Sequence, residues 1–422
     1  RLRAAHRELM RDPSMSQDGW QLWDSLVETT SWKTLFETLS TCDNAAIRKA
    51  CVHANNEALQ LEMGPSNRET VSSEIRKRLA PYIRDGKLPT NVVLIGGPPC
   101  QAYSMVGRAR NLGKSDYVAK EDHRHFLYRE YLHVIAEFQP AVFVMENVKG
   151  ILSSKVDDGH IFERILNDLK MPGLGDDALE YVLIPLAASD SLADPVPEDF
   201  IIRAEDFGIP QARHRVIILG VRKDIHHRMQ GFRGLAPSAR VTVKQVLDDL
   251  PSLRPEVSRR GEGMDWIDAL FQPLFDTALY ELRCQTNPSS EKVAALLVKV
   301  REYLRGRKHD PGSGSNRVRL PSSDRRKQLR VMGDWYRDRS TNLLTNHESR
   351  SHMPSDLVRY MFVSAFGVVN KASPTLDDFP KCLLPAQKNI GPTKVNESIF
   401  KDRFRVQVSN RHSMTVTSHI AK

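Results

Sequence analysis

The chain has 422 residues, long enough for two domains or for one domain with a large insertion. Its make-up, 40% hydrophobic and 27% charged, is that of an ordinary water-soluble protein, and no stretch approaches the roughly 18 apolar residues of a membrane span. Five cysteines without CxxC spacing argue against a zinc site and a disulfide framework, while a net charge of +9 favours a polyanionic partner.

Arg1 stands where an initiator methionine would, and no charged, apolar, small-residue leader follows, so the sequence is expected to be a fragment or a processed product. Residues 1–90 read as mainly helical: Trp20, Leu22, Trp23, Leu26 and Val27 recur at helical spacing, then Leu35, Phe36 and Leu39. Pro65-Ser66-Asn67 opens an amphipathic helix through Val71, Ile75, Leu79 and Ile83. The unbroken run Val92-Val93-Leu94-Ile95 reads as a buried strand, stopped by Gly96-Gly97-Pro98-Pro99, with Cys100 at the exit. A basic loop follows, from residue 105 to 124, long enough to be functional. Asp122 is placed to cap a helix carrying Phe126, Leu127, Tyr131, Leu132, Ile135 and Phe138, and Pro140 ends it.

Ala141 to Met145 form a second apolar strand, which runs into Glu146-Asn147-Val148; a helix around Ile161, Phe162, Ile165 and Leu169 returns. Strands are expected at 182–184, 200–202 and 216–220. The alternation of strand and helix implies a parallel sheet with right-handed crossovers, an α/β doubly wound fold. Thr242 opens a short helix leading to Asp249-Leu250-Pro251. From Leu253 to about Asn410 the alternation is lost. A helix from Ser290 to Leu304 runs into the basic, Gly-Ser-containing stretch 305–327, which reads either as a DNA-reading segment or as a solvated linker.

Polar signatures therefore gather at strand ends: Cys100, Glu146 and Gln211-Ala212-Arg213-His214-Arg215. Ligands of open α/β sheets collect beyond the carboxyl ends of the strands. The arginine signature precedes its strand, so its place in the same crevice needs support from elsewhere. A thiolate can attack an electron-poor carbon, a carboxyl can hydrogen-bond or protonate a ring nitrogen, and a guanidinium can hold a carbonyl oxygen. Taken alone, Cys100 has a plainer reading as a small packed residue beside a turn.

Gly-Pro-Pro-Cys-Gln, Glu-Asn-Val and Gln-x-Arg-x-Arg, in this order, resemble the DNA cytosine-5 methyltransferase family. Phe126-Leu127-Tyr128, Phe207-Gly208-Ile209-Pro210-Gln211 and Asp249-Leu250-Pro251 add to the resemblance, which covers residues 91–251. It implies an S-adenosylmethionine-dependent, Rossmann-like sheet with an irregular α+β target-recognition domain. It also implies a DNA (cytosine-5-)-methyltransferase acting on double-stranded DNA. By resemblance Cys100 is the nucleophile that adds to C6 of a flipped cytosine, Glu146 contacts N3 and the exocyclic amine, and Arg213 and Arg215 bind the base carbonyl and orient the site. Pro99 and Leu127 resemble cofactor-lining positions. Ser104, Arg108 and Arg110, on the loop that would close over the base, and Gln211 are expected at the DNA. So are His347 and Arg350, although no motif fixes those two; no metal is implied.

The expected organisation is 1–90 as a helical segment of the catalytic domain, 91–252 as its core, 253–410 as the recognition domain and 411–422 as a truncated return, to which Ser413-Met414-Thr415-Val416-Thr417 belongs by resemblance. The family's glycine-rich cofactor turn does not precede residue 91, and its asparagine-bearing motif does not follow residue 417. Resemblance sets the context as a cytoplasmic, monomeric prokaryotic methyltransferase, nucleoid-associated, with or without a cognate restriction endonuclease. Three alternatives stay open: a subunit of a split enzyme, a non-catalytic DNA-binding relative, and a cysteine hydrolase. The last would need a histidine base near Cys100.

Overall fold

Apolar residues at helical spacing near the N-terminus build four helices around a core of their own. They are α1 (Leu2–Leu9), α2 (Gln17–Thr29), α3 (Leu35–Thr41) and α4 (Ala45–Glu57). Leu9, Trp23, Leu35, Leu39, Ile47 and Cys51 fill that core. Ser16 starts α2 by accepting from the Gly19 amide. In this computed structural model the described residues are 2–31, 34–57, 59–85, 91–98, 127–156, 159–173, 179–187, 195–229, 232–258, 264–306, 310–319, 333–336, 343–385 and 404–415. The helix opened by Pro65 is a 3-10 turn, Pro65–Asn67, continuing as α5 (Arg68–Leu79). Charge ties α5 to the next helix. Arg68 forks onto Glu130, at 2.8 and 2.6 Å, while Ser72 and Arg76 both bond Glu137.

β1 (Val93–Gly96) and β2 (Val142–Val148) are parallel neighbours, in the register Val93↔Val142 to Gly96↔Met145. α6 (Tyr128–Phe138) and α7 (Ile161–Lys170) cover one face of this sheet. Tyr131, Ile135, Phe162 and Ile165 meet Phe143, Met145, Val216 and Ile218 there. Two glycines permit this packing. A Cβ at Gly96 would stand 2.5 Å from the Tyr131 ring, and one at Gly220 would stand 2.1 Å from the Phe143 ring. The expected cap Asp122 lies outside the described residues. The run 92–95 departs from a fully buried strand. Leu94 packs into the core, but Val93 and Ile95 are 57% and 75% exposed. The reason is coverage: among the described residues β1 pairs with β2 alone, and α6 lies over its other face.

β3 (Tyr181–Pro185), β4 (Ile201–Arg203) and β5 (His214–Arg222) complete the sheet in the order β1-β2-β5-β3, with β4 also on β5. The fold is the expected α/β type, with one strand reversed: β5 runs antiparallel to β2, β3 and β4. The cause is local. Residues 204–213, which join β4 to β5, are fewer than the dozen or so that a parallel crossover requires, so the chain doubles back.

The expected helix after Thr242 is α8 (Val243–Leu247), opened by a reciprocal cap between Thr242 and Gln245. Beyond it, α9 (Trp266–Leu270), α10 (Pro273–Cys284), α11 (Pro288–Arg305) and α12 (Pro354–Asn370) share a further core around Phe275, Leu279, Val293, Leu297, Phe362 and Leu383. The stretch 305–327 is not simply a linker. Gly314–Arg319 forms β6, paired antiparallel with β7 (Leu343–Glu348). Gly314 permits this hairpin, since its φ is +79° and a Cβ would meet the His347 carbonyl at 2.1 Å. Arg254 grips Asp310 at the hairpin base, and Arg317 donates to the Thr30 carbonyl at the end of α2. The chain then returns beside the start of β5, where Ser413–Met414 pair in parallel with Gln211–Ala212 as a separate two-stranded sheet.

Candidate active site

β2 alternates along its length. Phe143, Met145 and Asn147 are buried beneath α6 and α7, while Val144, Glu146 and Val148 point to the other face. Glu146 is thus delivered to the carboxyl end of the strand, half-exposed, on the face away from those helices. The turn leaving β1 closes on it. A Cβ at Gly97 would lie 3.0 Å from Glu146 Oε2, so glycine leaves the carboxylate its room. Asn147 steadies the same corner: its Oδ1 accepts from the Val148 amide at 2.9 Å, and its Nδ2 points at the Pro98 carbonyl at 3.5 Å, a long contact.

The reversed strand supplies the other half. Because β5 runs against β2, its first residues stand beside the last residues of β2, in the register Val148↔Arg215 and Glu146↔Ile217. Arg215 is the diagonal neighbour of Glu146, and its Nε meets Glu146 Oε1 at 2.7 Å. Its Nη1 also donates to the His214 carbonyl at 2.7 Å. A parallel β5 would have carried this arginine to the far end of the sheet. Arg213 lies just before β5, exposed, and its carbonyl accepts from the Ala204 amide at 3.2 Å. Gln211 is half-buried against the returning segment. The Ser413 amide donates to the Pro210 carbonyl at 2.8 Å, and the Thr415 hydroxyl to the Ala212 carbonyl at 2.7 Å.

Of the residues singled out in the sequence, the structure brings Glu146 and Arg215 into contact, with Gln211 and Arg213 on the segment entering β5. Cys100, Pro99, Ser104, Arg108 and Arg110 lie outside the described residues. Leu127 stands half-buried at the start of α6. His347 and Arg350 belong elsewhere. His347 sits on β7 with its Nε2 3.0 Å from the Pro251 carbonyl, and Arg350 is exposed two residues beyond β7.

A second ionisable pair adjoins the site and carries no sequence signature. His214 Nε2 lies 2.7 Å from Oε1 of Glu205, which is buried. Burial works to raise the Glu205 carboxyl, yet the hydrogen bond from His214, a backbone hydrogen bond and the charges of His214 and His412 hold it below its ordinary value. No cluster among the described residues has the composition of a metal site.

Residues 65–268 match the model of the C-5 cytosine-specific DNA methylase family. The match covers a little under half of the chain. The matched span contains β1, Glu146, the arginine-bearing turn and α8, whereas α1 to α4 and the β6–β7 hairpin lie outside it. Among curated relatives, the type II methyltransferase M.Bpa9945I of Bacillus paralicheniformis is 35% identical over 166 residues, covering 39% of this chain and 33% of that protein. The type II methyltransferase M.MthTI of Methanothermobacter thermautotrophicus is 27% identical over 197 residues, covering 46% and 49%. The DNA-cytosine methyltransferase of Escherichia coli is 30% identical over 204 residues, covering 47% and 39%. The chain thus spans between a third and a half of the length of these relatives.

Proposed function

We propose that this chain carries the cytosine-activating centre of a DNA (cytosine-5-)-methyltransferase acting on double-stranded DNA. The observation that supports it most is the contact of Glu146 with Arg215 at the carboxyl end of β2, where the Gly97-Pro98 turn arrives, within the span that resembles the cytosine-specific methylase family. Cys100 follows Pro98 by two residues in the sequence, and two residues of chain span about 7 Å at most.

In this reading the cytosine leaves the base stack to reach the site. The Cys100 thiolate adds to C6, and the electron pair of the C5–C6 double bond moves to make C5 nucleophilic. Glu146 hydrogen-bonds the base at N3 and the exocyclic amine, which favours that addition. Arg215, already fixed on Glu146, holds the carboxylate's direction, and Arg213 is free to reach the base carbonyl or the adjoining backbone. Loss of the C5 proton and expulsion of the thiolate restore the ring. S-adenosylmethionine, when bound, supplies the methyl group that C5 accepts. Leu127 suits only an apolar part of that molecule. Residues 253–410 would read the DNA, with the net charge of +9 assisting attraction to phosphate. The chain's likeness to type II methyltransferases favours a type II modification system as the context. No helix among the described residues is long and apolar enough to cross a membrane.

The test is replacement of the nucleophile. Duplex DNA treated with the intact protein and S-adenosylmethionine should acquire 5-methylcytosine, and Cys100→Ser should abolish this. Undiminished C5 methylation by the serine variant would remove Cys100 from the chemistry.

A further inference from the structure

Successive side chains of β5 point to opposite faces. Val216 and Ile218 belong to the core beneath α6 and α7, so His214 lies on that side, and Arg215 on the other side meets Glu146. The His214 ring is therefore turned away from the candidate site, toward Glu205. Glu205 is 5% exposed and lies in a 3-10 turn, Ala204–Asp206, directly after β4. Its Oε1 takes the contact with His214, while Oε2 is buried with no hydrogen-bond partner among the described residues. Such a carboxylate is poorly suited to stability alone: an unmatched buried oxygen is costly, and apolar side chains of similar size would cost less.

The pair does fix geometry. Arg203 pairs with His214, and the Ala204 amide donates to the Arg213 carbonyl, so the two ends of the 204–213 connection are already adjacent. The Glu205–His214 contact closes that connection from the core side. On the other side Arg215 Nη1 donates to the His214 carbonyl. His214 is thus held by its ring from one direction and by its carbonyl from the other. His412, on the returning segment that pairs with Gln211–Ala212, acts on the same carboxylate through its charge.

We propose that Glu205 and His214 are positioning residues for the arginine-bearing turn: their contact fixes the start of β5, and through it the direction in which Arg215 meets Glu146. Neither side chain touches the proposed substrate. The inference rests on the methyltransferase reading only for its effect on turnover.

The experiment has two arms. A guanidinium Nε–H held on a carboxylate gives its own slowly exchanging resonance in the 15N-arginine-labelled protein, and Arg215→Lys assigns it by removing it. Glu205→Gln keeps an acceptor for His214 and should leave that resonance in place. The double variant Glu205→Leu with His214→Phe removes both polar groups while keeping apolar volume, which protects the fold, and it should displace or broaden the resonance. In the second arm the double variant should lose at least about tenfold in kcat with KM for DNA unchanged, since small misplacements of a catalytic group are expensive, and Glu205→Gln should recover most of the loss. An Arg215 resonance at its native position in the folded double variant would overturn the proposal. Should that variant not fold, His214→Phe alone, at a side chain 37% exposed, makes the same comparison. If the unaltered protein transfers no methyl group to cytosine, the proposed function fails, while the resonance still decides the positioning role.

Discussion

Replacing Arg215 by alanine should separate activity from stability. The Glu146 and Arg215 side chains are 42% and 21% exposed, so water screens their 2.7 Å contact. Pairs of that exposure contribute about 1 kcal/mol or less to folding. The second bond of Arg215, to the His214 carbonyl, adds a contact that water replaces readily. For a domain of this size a loss of that order lowers Tm by about 2–4 °C. The functional cost should be far larger. Removing one preorganised donor from an active centre typically costs about 10²–10³ in kcat, and here Glu146 would also lose the group that holds its direction. The assay pairs thermal unfolding with the rate of methyl transfer to duplex DNA under saturating donor. An Arg215→Ala protein that unfolds many degrees earlier would show the pair to be structural. One that retains full turnover would remove Arg215 from the site.

Other expectations follow from the packing and the titrating groups. Gly220→Ala places a Cβ 2.1 Å from the ring of fully buried Phe143. It should destabilise the sheet by about 1–3 kcal/mol in denaturant unfolding, with Phe143→Leu on the same background recovering part of the loss. Tyr128 donates to Asp168 at 2.8 Å, and burial first, then that carboxylate, pushes its hydroxyl up from 10.0 to about 12. A group raised on folding contributes stability that is complete below its unfolded value, so this contribution should drain away between pH 10 and about 12. Tyr128→Phe should flatten that part of the alkaline unfolding profile, and an identical profile would show that Tyr128 does not titrate as stated. Arg254 is a quarter exposed and bonds Asp310 at 2.8 Å, where the hairpin meets the segment after Pro251. Arg254→Ala should raise amide exchange across Gly314–Arg319 and Leu343–Glu348 while leaving Val142–Val148 protected.

Much of this organisation was legible in the residues. The apolar runs at 92–95, 141–145 and 216–220 became strands because unbroken β-branched and aromatic stretches leave the backbone few other ways to be buried. Thr242 announced α8, since a cap is written in residues adjacent to its own helix. Glu146 and the Gln-x-Arg-x-Arg stretch could be singled out because their residue types have chemistry of their own. Strand direction was a different matter. Periodicity tells which faces are apolar but says nothing about which way a strand runs, so β5 read as one more parallel strand. On a parallel strand the arginine signature would stand at the wrong end; the antiparallel pairing of β5 with β2 brings Arg215 to Glu146.

The linker reading of 305–327 failed for a related reason. Arginine-rich residues around Gly and Ser have no pattern of their own, and β6 exists because β7 pairs with it from beyond residue 342. Exposure of Val93 and Ile95 likewise depends on what covers the strand, which no local run of residues encodes. Glu205 and His214 are nine positions apart and carry no recognised spacing, and only the doubling back of the chain between β4 and β5 makes them partners. Sequence by itself determined the strands at 92–95, 141–145 and 216–220 and the opening of α8, and it singled out Glu146 and the arginines, because such readings depend on neighbours along the chain. Tertiary structure alone decided the direction of β5 and hence the meeting of Arg215 with Glu146, because that depends on contacts between segments about seventy residues apart.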